Sequence, residues 1–464
     1  MGKTTLIRNA KAIVTCDSQD RVYWNADMLI EGPKILKIGP NLTDPHDEVL
    51  DATDMFVYPG LINTHHHFFQ TFVRNLKTID YPNMTVPEWL DKIYRIFQLV
   101  DDQVIFYSSL TAMGDLLKHG CTCAFDHQYC YTKATGKAPV DRQMEAAKLL
   151  GIRYHAGRGT NTLPREKGST IPENMLETTD EFLQDCERII RLYHDPAPYS
   201  MSQIVMAPCQ PINSYPETFI ETVKFARKKG VRMHTHLGEG ENAIMLERWG
   251  KRTLDWCGDI GFIGEDVWYA HGWELTPEEY AVLGKVGSGV SHCPGPAILG
   301  GFPILPMRQM AEAGVCISLG CDGSATNDSS SLLDSMRTAW MMQAWHSKER
   351  GGCISPYDML KIATVNGAKT LGRGDLGSLE PEKGADLFMV DAGKLELTGT
   401  LHDPRNLLAR AGVTGEVALT MVNGKVVFRD GVLTGVDERA LAREGEAVCT
   451  RVLREPCEAF RNLC

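Results

Sequence analysis

Apolar positions along the chain change rhythm twice. Over residues 1–57 they fall in short β-type runs, at 7–14, 26–30 and 34–38, separated by polar or glycine turns. From 58 to 375 short apolar runs alternate with longer amphipathic ones. The short runs lie at 57–62, 121–125, 153–156, 204–207, 232–236, 267–271, 289–292 and 316–320. Stretches with helical spacing lie at 103–118, 140–150, 179–194, 216–229 and 307–313. After 376 the β rhythm returns at 386–390, 417–422 and 425–428, with Asn423-Gly424 as a hairpin turn. A charged, helical stretch ends the chain at 439–464. Eight strands alternating with helices predict an α/β fold, a parallel (β/α)8 barrel of the TIM type over 58–375. The β-type ends, 1–57 and 376–464, predict a small β-sandwich built from both termini, with a C-terminal helix. A doubly wound open sheet fits the same periodicity, and the pattern alone does not separate the two.

Composition narrows the function classes. The 464 residues are 43% hydrophobic and 23% charged, enough to bury a large core. A net charge of −11 argues against a nucleic-acid partner, which calls for a basic surface. The 14 cysteines are scattered without a CxxC pair, the usage of a reduced, intracellular chain with buried thiols. The first residues lack an apolar signal core, and Leu6 breaks the myristoylation pattern. No apolar run approaches the ~18 residues that span a bilayer. The expected location is the cytoplasm, with no membrane partner. Gly2-Lys3-Thr4 resembles the tail of a P-loop but lacks its upstream glycine frame.

The chemistry lies in histidines at the ends of the expected barrel strands. Pro59-Gly-Leu-Ile-Asn-Thr-His-His-His67 puts His65 and His67 two apart, on one face of an extended segment, with His66 on the other. His234-Thr-His-Leu-Gly-Glu239 ends the fifth strand with His236 and places Glu239 three residues beyond, within reach of a metal-activated water. Spacing alone leaves His234 a possible ligand. His271 and His292 end the next two strands, and Asp322 follows the eighth. Side chains at the C-terminal ends of barrel strands converge at one mouth. Neutral imidazoles plus one carboxylate suit Zn2+ or Fe2+ with a position left for water, and so point to metal-assisted hydrolysis. HExxH, GxSxG and a full Walker A are absent, and Pro208-Cys209 lacks the second cysteine of a nucleic-acid deaminase.

This constellation resembles the amidohydrolase superfamily, in its cytosine/guanine deaminase and triazine hydrolase group. The likeness spans nearly the whole chain. It is carried by long runs similar to hydroxyatrazine-type aminohydrolases: Tyr58-Pro-Gly-Leu-Ile-Asn-Thr-His-His-His-Phe-Phe-Gln70, Ala124-Phe-Asp-His-Gln-Tyr129, His155-Ala-Gly-Arg-Gly159 and His234-Thr-His-Leu-Gly-Glu-Gly-Glu241. The resemblance implies one divalent metal, Zn2+ before Fe2+, held by His65, His67, His236 and Asp322, with His234 outside the ligand set. It gives Glu239 the proton transfers, and His271 the positioning of hydroxide and substrate. The implied reaction is hydrolytic loss of an amino or alkylamino group from an N-heterocycle. The implied assembly is a homodimer or larger homo-oligomer. Pro208-Cys209 and Ser324 are more like the 8-oxoguanine deaminases, so a hydroxytriazine, an oxopurine and a pterin all stay open as substrate. A chlorohydrolase or cyclic amidase uses the same scaffold. Gln70, Arg158, Cys209, His292 and Asn327 are the candidate substrate contacts, Arg158 having a structural ion pair as its other reading. Trp89 is either a ring platform or core.

Overall fold

The structure is a computed structural model describing residues 2–76, 79–347 and 352–459. Eight parallel strands follow one another in sequence order around a barrel: Leu61–Asn63, Cys121–Gln128, Arg153–Thr160, Ser202–Pro208, Arg232–Leu237, Val267–His271, Gly289–His292 and Cys316–Leu319. The first and eighth close on each other: Thr64 donates its amide N–H to the Leu319 carbonyl at 3.0 Å, and Asp322 donates to the His65 carbonyl at 3.0 Å. The open-sheet alternative is thereby excluded.

Local chemistry sets the alternation. Asp101 caps Asp102–Lys118 through the Val104 N–H, and Thr178 with Glu181 forms a capping box on Thr179–Tyr193. Helices Pro139–Leu150 and Pro216–Lys229 end at Gly151 and Gly230, whose φ of 74° and 69° turn the chain sharply into the next strand. The barrel strands are buried along nearly their whole length, as parallel strands covered by helices must be. Below the mouth, Trp268 fills the barrel against Ile62, Phe125, Val205 and Leu371 and donates its indole N–H to the Thr64 carbonyl at 3.0 Å.

Both chain ends enter one nine-stranded mixed sheet. Thr4–Val14, Val22–Glu31 and Lys34–Gly39 join Leu387–Asp391, Leu419–Val422, Lys425–Arg429 and Val432–Leu433 through the central strand Met55–Pro59, and Glu48–Asp51 pairs beside Thr4–Val14. The run expected at 57–62 is therefore two strands. Met55–Pro59 belongs to this sheet, and the chain crosses to the barrel at Gly60, where an added Cβ would lie 2.0 Å from the Thr122 hydroxyl. The Arg153–Asp386 ion pair ties the two sheets together, buried and 2.8 Å long. The C-terminal helix Glu438–Ala459 lies against Asp102–Lys118, with Tyr107 donating to Glu444 at 2.8 Å. Among the described residues no helix is long and apolar enough to cross a membrane.

Candidate metal centre

His65, His66 and His67 leave the first barrel strand fully or almost fully buried. Their backbone is pinned to the eighth strand, because Asn63 accepts the Cys321 N–H at 2.9 Å while Asp322 donates to the His65 carbonyl. His65 and His67 turn their rings toward each other, centroids 4.7 Å apart. His66 turns away: its Nδ1 accepts the His67 N–H at 2.8 Å and its Nε2 meets the Ser330 hydroxyl at 2.9 Å. The opposed facing expected from the strand spacing is what the chain adopts.

The hydrogen bonds behind these rings dictate their tautomers. His67 Nδ1 lies 2.8 Å from the His127 carbonyl, and His236 Nδ1 lies 2.7 Å from the Cys209 carbonyl. A carbonyl only accepts, so both Nδ1 atoms carry the proton and both Nε2 atoms present lone pairs. His234 Nδ1 likewise donates to the Trp268 carbonyl at 3.0 Å, which leaves its Nε2 to accept from His65 Nδ1, also at 3.0 Å. His65 Nε2 is then a lone pair too. These three lone pairs converge. His67 Nε2 and His236 Nε2 are 3.1 Å apart, and Asp322 Oδ1 is 3.3 Å from both His65 Nε2 and His67 Nε2. Burial, with neighbouring histidines adding to it, holds His65 well below its ordinary pKa and His236 at about 4, so no proton relieves the crowding. These acceptors meet without a donor between them, and the buried side chains close enough to share one metal ion are His65, His67, His127 and His236 as one group and His65, His271 and Asp322 as another. The chemistry of the four acceptors, three neutral imidazoles and a carboxylate, fits a divalent metal of the zinc or iron(II) kind.

Two further groups border this point. His271 ends one barrel strand and Asp322 follows another, both with left-handed backbone, φ 75° and 65°, a strain of about 1–3 kcal/mol for a non-glycine residue. His271 is buried with neither ring nitrogen hydrogen-bonded; Trp273 packs on it at 4.4 Å. Burial lowers its pKa to about 3, leaving it neutral. Glu239 Oε1 lies 3.5 Å from His271 Nε2. Desolvation, then the charges of Asp322 and Glu241, push the Glu239 carboxyl well above its usual range. A carboxyl poised to hold a proton and a neutral imidazole thus sit beside the acceptor cluster.

The five expected substrate contacts divide. Gln70 is buried beside the metal-side loop, its oxygen 3.3 Å from the Ala325 N–H and its amide donating to Tyr129 Oη at 3.2 Å. Cys209 lends the cluster its backbone, since its carbonyl orients His236. His292 is buried with both ring nitrogens free of hydrogen bonds. Asn327 spends its side chain on its own loop, on the Cys321 carbonyl and the Ser329 N–H. Arg158 is not brought to the cluster. It donates to Asp185 at 2.8 Å and in a fork to Glu177 at 2.6 and 2.7 Å, with its guanidinium 3.5 Å over the Tyr131 ring. Three carboxylate oxygens and the Gly159 carbonyl take the donors of this buried guanidinium, which is the arrangement of a structural ion pair. Trp89 is core, packed edge-on against Tyr81 at 5.5 Å.

Sequence reasoning missed His127. It stacks on His236 at 4.8 Å, with Nε2 bonded to the Ala207 carbonyl at 2.7 Å and Nδ1 bare. Its signal was present: Phe125 and His127 alternate along the second strand, Tyr129 continues the spacing just past its end, and all three rings meet the His234 or His236 ring.

The whole-chain comparisons agree with this architecture. A model described as "Amidohydrolase family" matches residues 56–427. The chain is 47% identical to hydroxydechloroatrazine ethylaminohydrolase of Pseudomonas sp. (strain ADP), over 97% of this chain and 96% of that one. It is 33% identical to 8-oxoguanine deaminase of Pseudomonas aeruginosa, over 97% and 99%. The crystal structure of atrazine chlorohydrolase TrzN from Arthrobacter aurescens TC1, complexed with zinc, superimposes with a TM-score of 0.92 at 28% identity, covering 96% of this chain and all of that one.

Proposed function

Because the chain belongs to the amidohydrolase family, we propose that it is a metal-dependent aminohydrolase that removes an amino or alkylamino group from an N-heterocycle. The observation that carries this reading is the set of four convergent acceptors, with a proton-holding carboxyl at their edge. His65, His67, His236 and Asp322 would hold one divalent metal, Zn2+ in the first place and Fe2+ in the second. When bound, such a metal supplies Lewis acidity and makes water a nucleophile near neutral pH. The chain's own groups then manage protons and orientation. Asp322 accepts the proton that water loses. Glu239 gives its proton to a ring nitrogen, which makes the adjacent amino-bearing carbon electrophilic; the proton held by Asp322 goes on to the exocyclic nitrogen, and Glu239 regains a proton from the newly added hydroxyl as the amine leaves. A C–O bond forms, the C–N bond breaks, and ammonia or an amine leaves. His271, neutral and beside Glu239, orients the attacking water and the substrate. Gln70 and His292 are the polar groups left to meet the heterocycle.

A hydroxytriazine is the substrate reading supported by the 47% identical relative. An oxopurine is the second, supported by the 8-oxoguanine deaminase relative and by Cys209 beside the cluster. The test is an absorbance screen of purified protein against hydroxyatrazine, guanine, 8-oxoguanine and isoxanthopterin, with assays for ammonia and alkylamine. Release of either amine with an intact ring is the expected result. Ring opening alone would make the protein a cyclic amidase, and chloride release from a chlorinated ring without amine release would make it a chlorohydrolase.

The barrel carries the chemistry, and we take its domain as 60–375 once Met55–Pro59 is counted with the sheet built from both chain ends. The cytoplasm is the proposed location, supported by cysteines such as Cys121, Cys123 and Cys209 that are buried and unpaired. A homodimer or larger homo-oligomer is the proposed assembly. Ile298, Leu299, Met341 and Trp345 lie exposed on two helices that touch, with Trp345 79% exposed, and a second copy would cover them. Light scattering at micromolar concentration reads the mass directly.

A further inference from the structure

We propose that Glu241 is a positioning residue for Glu239, holding in place the loop that carries the proton carrier. This deepens the function proposed above and rests on its assignment of proton transfer to Glu239. Strand Arg232–Leu237 ends at the barrel mouth, and Gly238-Glu-Gly-Glu241 follows before helix Asn242–Trp249 begins. Two of these four residues have left-handed backbone, Gly238 at φ 69° and Gly240 at φ 98°, so the loop has no ladder or helix to fix it. Glu241 supplies the missing partners. It is 2% exposed, its Oε1 accepts the Gly238 N–H at 2.6 Å, and its Oε2 accepts the Glu239 N–H at 2.7 Å. Both are short, charge-assisted bonds to consecutive peptide groups, one of them the peptide of Glu239 itself.

The neighbouring residue extends the clamp. Asn242 donates to Glu274 at 2.8 Å, and its oxygen accepts both the amide and the hydroxyl of Thr253 at 3.0 Å. Glu274 in turn gives its N–H to the Gly238 carbonyl at 3.1 Å, closing the circuit onto the loop that begins at His271. Among the described residues no cation pairs with Glu241. A buried carboxylate without a counter-ion is costly; burial lifts the Glu241 carboxyl above its usual range, and the Gly238 N–H, the Thr253 side chain and the Glu239 N–H offset part of that cost. Glutamine cannot replace it, because one oxygen would become an NH2 facing a peptide N–H. Aspartate keeps the charge but is one methylene short of spanning both amides.

The test uses the full-length, metal-loaded protein with Glu241→Gln and Glu241→Asp, and Glu247→Gln, exposed on the helix that follows the loop, as control. Amide hydrogen exchange over 238–241, metal content, melting temperature, kcat and KM are read together. The expected result for Glu241→Gln is faster exchange at Gly238 and Glu239, unchanged metal content, and kcat lower by about 10–100-fold at constant KM. Glu241→Asp recovers part of that loss. In a Glu239→Gln background, Glu241→Gln should cost nothing further, since the group it positions is gone. Wild-type exchange rates in Glu241→Gln, or a kcat loss that adds in full to that of Glu239→Gln, would overturn the proposal. If Glu241→Gln does not fold, Glu241→Asp carries the same comparison. If the substrate screen finds no turnover at all, the functional reading falls by itself and the exchange measurement still decides whether Glu241 holds this loop.

Discussion

Arg158 and His67 are equally hidden from water, 1% and 3% exposed, yet their surroundings treat them in opposite ways. Around Arg158 every donor direction in use ends on an acceptor: Glu177 twice, Asp185 and the Gly159 carbonyl. Around His67 the backbone takes the only proton, and the remaining lone pair faces another lone pair and a carboxylate oxygen. The first cluster is complete by itself. The second is complete only with a cation added. Burial alone therefore says little about function; what separates the two regions is whether the buried polar groups satisfy one another.

That contrast is most exposed to test at His236. His236→Ala removes one lone pair of four. Metal content by mass spectrometry should fall from about one ion per chain to background, and turnover should vanish with it. Full metal content in the variant would mean that the convergence is accidental. Next in size is Glu239→Gln, which keeps the shape of the site but cannot release a proton. It should lower kcat by about 10²–10⁴-fold while metal content stays at the wild-type value. Undiminished turnover would remove Glu239 from the mechanism. On the satisfied side, Arg158→Met leaves partly buried Glu177 without its cation and Asp185 with Arg188 as its remaining one. It should cost about 1–3 kcal/mol of unfolding free energy in urea, with KM unchanged in the protein that still folds. A raised KM at unchanged stability would return Arg158 to the substrate site and erase the distinction between the two clusters.

The barrel was legible because its signal is repeated. Eight strand–helix units each carry their own apolar run, several with a side-chain cap on the helix, and an error at one end of one unit does not change the topology. The one misplaced strand lay at 57–62, where an apolar run passes unbroken from one sheet into another and only Gly60 marks the change. That His65, His67, His236, Glu239, His271 and Asp322 come together was legible because strand ends in a parallel barrel share one mouth. The substrate contacts were harder, because a side chain's partners come from distant segments. Nothing near Arg158 in sequence announces Asp185, 27 positions on, as its counter-ion. His127 was overlooked for the converse reason: a lone histidine within a buried strand looks like core until the other rings are placed around it.

His234 is the smallest and most discriminating of these cases, since spacing alone left it open as a ligand. In the structure it stands one bond behind the cluster, taking the His65 Nδ1 proton and passing its own to the Trp268 carbonyl. That relay fixes the tautomer that turns His65 Nε2 into a lone pair. Partners of this kind typically contribute about 10–100-fold in metal affinity. His234→Ala should weaken metal binding by that factor in a chelator competition, without abolishing it. His234→Gln places an amide oxygen where His65 can still donate, and should recover most of the loss. If both variants lose metal as completely as His236→Ala, His234 is itself a ligand and the cluster has five members. If neither loses any, the tautomer of His65 is set by the cation rather than by the protein behind it.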